Sequence, residues 1–67
     1  MKLETATMQQ KENYVRGRLY AAGRGERLEM DKKVKMFFRV LDAAGNDLTG
    51  AKTIDAVIYW LDKERGE

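Results

Sequence analysis

The sequence contains no cysteine, no histidine and no proline. Without cysteine it has neither a disulfide framework nor a thiolate nucleophile, and no redox compartment can be read from it. With histidine missing as well, the usual zinc ligands are gone, so no structural zinc is expected and a metal site would have to rest on carboxylates alone. The absent histidine also predicts behaviour that is flat between about pH 5 and 8, where no other side chain titrates at its ordinary value. No apolar run approaches the roughly 20 residues of a membrane span, and the opening stretch MKLETATMQQ lacks the hydrophobic core of a signal peptide. The expected location is cytoplasmic, with no membrane partner. The phosphate-binding spacings Gly-x-Gly-x-x-Gly and Gly-Lys-Ser/Thr are missing too. Gly23-Arg24-Gly25-Glu26 reads as a plain turn, or as a loop whose backbone approaches a phosphate or a partner chain closely.

What is present is a chain of 67 residues, 43% hydrophobic and 36% charged, which fits one small folded domain over 1–67 with residues 1–4 frayed. A domain of that size buries roughly 60% of the surface its unfolded chain exposes, so its core is small and a partner or a second copy is a common supplement. The net charge of +2 hides an asymmetry: lysine and arginine dominate up to Arg39, and acids outnumber bases from Leu41 onward.

The central stretch from Glu26 to Gly45 organises the rest. At helical spacing Met30, Val34, Phe37, Leu41 and Ala44 form one apolar stripe with Phe38 at its edge, while Met36, Val40 and Ala43 form a second. Glu29 with Lys33 and Asp31 with Lys35 are spaced for ion pairs along that helix. Ala43-Ala44-Gly45 resembles a helix end with glycine in the left-handed position, and the lack of proline agrees. The same letters also alternate: Leu28, Met30, Val34, Met36, Phe38 and Val40 fall on every second position, broken by Lys32, and the Val-Lys-Met-Phe-Phe-Arg-Val run suits a strand.

On either side the pattern is plainer. Met8, Val15, Leu19 and Ala22 make a thinner apolar stripe that Gly23 would close, although Gly17 weakens it and Tyr14-Val15 would suit a short strand. Gly45 to Gly50 is dense in turn residues. After it Ile54, Val57, Ile58 and Leu61 share a helix face that should pack on Phe37 and Phe38. Thr49 or Thr53 is the cap, Asp55 sits at the positive end, Lys63 and Arg65 at the negative end, and Gly66 is the stop. The expectation is an all-α, three-helix domain; the alternative is α+β, an antiparallel hairpin or three-stranded sheet packed on a C-terminal helix.

For function the inventory points away from catalysis. Asp42 and Asp47 bracket a turn, Asp55 and Asp62 lie a heptad apart, and no pair is spaced for joint acid-base work. No enzyme activity, cofactor or small-molecule substrate is expected. Met36 and Val40 on the second stripe, with Tyr59 and Trp60 on the last helix, make a surface for another protein or for a second copy in a homodimer. The reading is a non-catalytic protein-binding module, a small regulator or inhibitor that occupies a partner's surface, of the size expected for a phage or plasmid product. The alternative is nucleic-acid binding through the phosphate backbone by Arg16, Arg18, Arg24, Arg27, Lys32, Lys33, Lys35 and Arg39, with Tyr14 and Tyr20 interleaved. A helix-turn-helix version is weak, because the would-be recognition helix carries Asp55, Asp62 and Glu64.

Overall fold

Thr7 opens the first helix. Its hydroxyl accepts from the Gln10 N–H at 3.1 Å, and the Gln10 side chain accepts from the Thr7 N–H at 2.9 Å. Two otherwise orphaned donors are satisfied by that reciprocal box, which fixes the start of α1 (Met8–Ala22). Gly23, at φ 69°, closes it and donates its N–H to the Tyr20 carbonyl. The computed structural model describes residues 5–65, so the fraying expected of residues 1–4 and the stop expected at Gly66 lie outside them.

The all-α expectation fails at the central stretch. Residues 26–44 are not a helix: β1 (Arg27–Met30) and β2 (Phe37–Leu41) form an antiparallel hairpin, and the short β3 (Lys52–Thr53) pairs with the other side of β2. The sheet has the order β1-β2-β3, so the molecule is α+β and not helical. It realises the three-stranded alternative, with a helix before the sheet as well as after it.

The physical reason lies in two places. Leu28 faces Val40 and Met30 faces Phe38 across the hairpin, so the alternating residues share one face and the buried ones fill the core. Lys32, which broke the alternation, marks the turn itself. There the Asp31 carboxylate accepts from the N–H groups of Lys33 at 3.0 Å and Val34 at 2.7 Å, giving the backbone a local alternative to helical bonds. Ala43-Ala44-Gly45 is a turn rather than a helix end: Asp42 accepts from the Ala44 and Asn46 N–H groups, and Gly45 takes φ 91°. The expected ion pairs of Glu29 with Lys33 and Asp31 with Lys35 are replaced by Arg27–Glu29 and Arg39–Asp31.

The last segment agrees with its sequence pattern except that it packs on Phe38 and not on Phe37, which strand alternation turns to the opposite face. Thr53, not Thr49, caps α2 (Ile54–Tyr59), and Ile54, Val57, Ile58 and Leu61 are all buried. From Trp60 to Glu64 the helix widens to a π turn, with the Arg65 N–H donating to the Trp60 carbonyl at 2.8 Å. Both helices cover the same face of the sheet, where Val15 and Leu19 of α1 join Leu28, Phe38 and Val40. Each of these large side chains contributes about 1.5 to 3 kcal/mol of burial before entropy is set against it. Phe37 and Leu41 stay half-buried on the opposite, open face.

Candidate interaction surface

β1 ends the sheet on one side. The Asp31 N–H donates to the Phe37 carbonyl at 2.7 Å, so main-chain groups of the odd-numbered residues of β1 point toward β2. By strand alternation the N–H and C=O of Leu28 and Met30 therefore point outward. The other flank of β2 is sealed: the Val40 carbonyl accepts from the Leu48 N–H at 2.8 Å, and the Val40 N–H donates to the Thr49 hydroxyl at 3.1 Å.

Beside β1 runs a groove of about 380 Å³. Leu19 and Leu28 line it together with Arg16 and Tyr20 of α1, and Gly23, Gly25, Glu26 and Arg27 close it from the connection. Tyr20 is 89% exposed, the most exposed large hydrophobic side chain among the described residues. Gly25 is required where the connection meets Ala43: it sits at φ 73°, and a Cβ there would lie 3.0 Å from the Ala43 Cβ.

Glu26 anchors the start of β1. One guanidinium nitrogen of Arg65 donates to both of its carboxylate oxygens at 2.7 Å, and the two side chains are 6% and 16% exposed. The π turn sets Arg65 at this position, 4.9 Å over the Trp60 ring. The end of the last helix is thereby tied to the first residue before the edge strand.

The surface expected from Met36, Val40, Tyr59 and Trp60 is not one patch. Val40 is 0% exposed, at the centre of the core, so it cannot meet a partner in the folded chain. Trp60 packs against the core and under Arg65. Met36 is exposed in the β1–β2 connection at φ 67°, and Tyr59 is exposed on α2. Sequence reasoning passed over Leu28, Met30 and Glu26 as a site and used Tyr20 only beside the cations. The signal present was the alternation Arg27-Leu28-Glu29-Met30, but nothing local to it says that the strand is an edge.

The cations are dispersed likewise. Arg16 pairs with Glu12, Arg18 with Asp62, Arg24 with Glu26, Arg27 with Glu29, and Arg39 with both Asp31 and Asp47. Tyr14 joins the Arg18–Asp62 pair through its hydroxyl. Lys32, Lys33 and Lys35 remain on the β1–β2 connection, with no side-chain ion pair or hydrogen bond to any described residue. That connection is held by Asp31, whose carboxyl lies below its ordinary value chiefly because the Val34 N–H donates to it, with Lys33 N–H and Arg39 assisting. Asp42 is depressed in the same way, first by the Asn46 N–H.

Among the described residues there is no group of three or more acidic side chains placed to hold a metal ion. No described helix is long and apolar enough to cross a membrane. No protein-family model matches the chain, and no curated protein or solved structure is significantly similar to it.

Proposed function

We propose that this protein is a non-catalytic protein-binding module, a small regulator whose docking element is the free edge of β1. It takes an extended segment of its partner as an added strand, with main-chain hydrogen bonds supplying affinity and the flanking groove supplying selectivity. The observation that carries the reading is the outward row of main-chain groups at Leu28 and Met30, with Leu28 lining the groove beside Tyr20. A free edge is a pairing template unless something blunts it; β1 has no proline or bulge, and its two charges, Arg27 and Glu29, are of opposite sign.

Met30→Pro tests the reading. The Met30 side chain is exposed and its N–H points away from β2, so proline there removes an outward donor and obstructs an incoming strand without breaking the hairpin ladder. The expected result is loss of partner recovery in affinity capture, with far-UV dichroism and melting unchanged. Equal recovery by both proteins would discard the edge.

A second reading has one observation in its favour. Lys32, Lys33 and Lys35 are exposed without carboxylate partners on a connection that Asp31 holds in shape, which suits contact with phosphates. On that reading duplex affinity falls with salt by about 0.9 log units per phosphate neutralised, and replacing the three lysines by glutamine removes the slope. Absence of retention on duplex or single strands at low salt would end it.

A further inference from the structure

We infer that the strand completing β1 is β1 of a second copy of this chain, antiparallel, with Leu28 opposite Leu28 across a two-fold axis. This rests on the strand-addition reading of the edge and names its occupant. Charge selects both the occupant and its register. Main-chain groups of the even-numbered residues face outward, so even-numbered residues must meet even-numbered residues in the new ladder, and a two-fold axis then passes through a residue of β1.

Four centres fall within the strand. Centring on Arg27 sets Arg27 against Arg27, and centring on Glu29 sets Glu29 against Glu29. Centring on Met30 sets Glu29 against Asp31. Like charges directly opposite are unfavourable. Centring on Leu28 sets Arg27 of each copy against Glu29 of the other, twice. That pair lies on the open face in a non-hydrogen-bonded position, where side chains across the ladder are closest. Arg27 and Glu29 already pair at 3.2 Å within one chain and are 54% and 42% exposed, so both are at the surface to exchange partners. On the helix face the same register brings the two Leu28 residues together, with the exposed Tyr20 of each α1 flanking them. The β3 edge offers no such pairing: it is two residues long and carries Lys52.

The test is sedimentation equilibrium of the full chain from micromolar to millimolar concentration, with three variants. The expected result is a monomer–dimer equilibrium for the parent chain and a monomer throughout for Met30→Pro. Arg27→Glu faces a carboxylate with Glu29 of the other copy and should weaken the dimer about tenfold. Adding Glu29→Arg to it restores opposite charges and should return the dimer to within about threefold of the parent. A parent chain that stays monomeric at millimolar concentration overturns the second-copy inference, yet leaves the edge reading standing if Met30→Pro still abolishes capture of another protein. A dimer that persists in Met30→Pro is held by another surface and overturns the second-copy inference, while the edge reading falls only if Met30→Pro also leaves capture of another protein unchanged. A dimer indifferent to Arg27→Glu overturns the register. Glu29 also faces Arg39 across the hairpin, so each charge variant is melted beside sedimentation, and one that keeps its fold remains informative where proline disturbs the hairpin.

Discussion

At the β3 side the sheet stops in two residues, Lys52–Thr53, that run straight into α2, and the chain ahead of them returns Leu48 and Thr49 to seal the backbone of Val40. At the β1 side four residues end beside an open groove, and the structure invests instead in holding the strand still through the Glu26–Arg65 pair at its start and the Asp31 turn at its end. One edge is closed and the other is buttressed but open. Natural sheets normally cover, shorten or charge an exposed edge. β1 is short and carries Arg27 and Glu29, of opposite sign, and among the described residues no strand pairs with its outer side, so a partner with matching charges meets a shaped edge.

The largest effect should come from removing the buttress. Glu26→Ala leaves the nearly buried Arg65 without its bidentate partner, and breaking a buried pair in that way costs about 3 kcal/mol. In a domain of this size that corresponds to a fall in Tm of roughly 15 °C. Chemical denaturation at equal protein concentration measures it, and a loss below about 1 kcal/mol would mean that the pair is a surface contact.

The closed side should yield to Thr49→Val, which is nearly isosteric but leaves the buried Val40 N–H without an acceptor. The expected cost is about 1 to 2 kcal/mol. Amide exchange should show it, with the Val40 N–H losing protection while the β1–β2 ladder keeps its own. If Val40 stays protected, another acceptor has taken over and the two edges differ less in how they are sealed.

These features were unevenly legible in the sequence. The face Ile54, Val57, Ile58 and Leu61 was readable because one period fitted and a cap preceded it. The start of α1 at Thr7 went unread, although the Thr-x-x-Gln spacing of its box is local to the sequence. The central stretch was not readable, since 3.6-fold and two-fold periods both fit it, and a left-handed glycine ends a helix and completes a turn with the same backbone angles. What decided it was the Asp31 carboxylate reaching two N–H groups beyond it, an interaction that needs geometry to recognise. Val40 went to the core for the same reason: on a helix it belonged to a second stripe, but on a strand it alternates inward with Phe38. The site was least legible of all. Whether β1 is an edge depends on where β3 pairs, and no residue near Leu28 carries that information.

A smaller effect, read by pH, is common to the connections on both sides of β2. The Asp31 and Asp42 carboxyls are both depressed from 3.8 by backbone N–H donors, so the stability they lend is fully present above that value and is lost as pH falls through their folded-state values. Melting curves should be flat between pH 5 and 8 and decline below about pH 4. Asp31→Asn should lessen the decline and lower stability at neutral pH, because the turn beside β1 then lacks its charged acceptor.

The smallest effect leaves both edges alone. Met36 is the one described residue other than glycine with a positive φ, at 67°. A side chain in that conformation costs about 1 to 2 kcal/mol, whereas glycine there costs about 0.4 to 1 kcal/mol in added freedom of the unfolded chain. Met36→Gly should therefore stabilise the fold by about 0.5 kcal/mol, the difference between the two. It removes an exposed apolar side chain that lies on neither edge, so association in solution should not change. If association instead weakens while stability rises, Met36 itself is a contact residue and the β1–β2 connection, not the edge of β1, is the surface a partner meets.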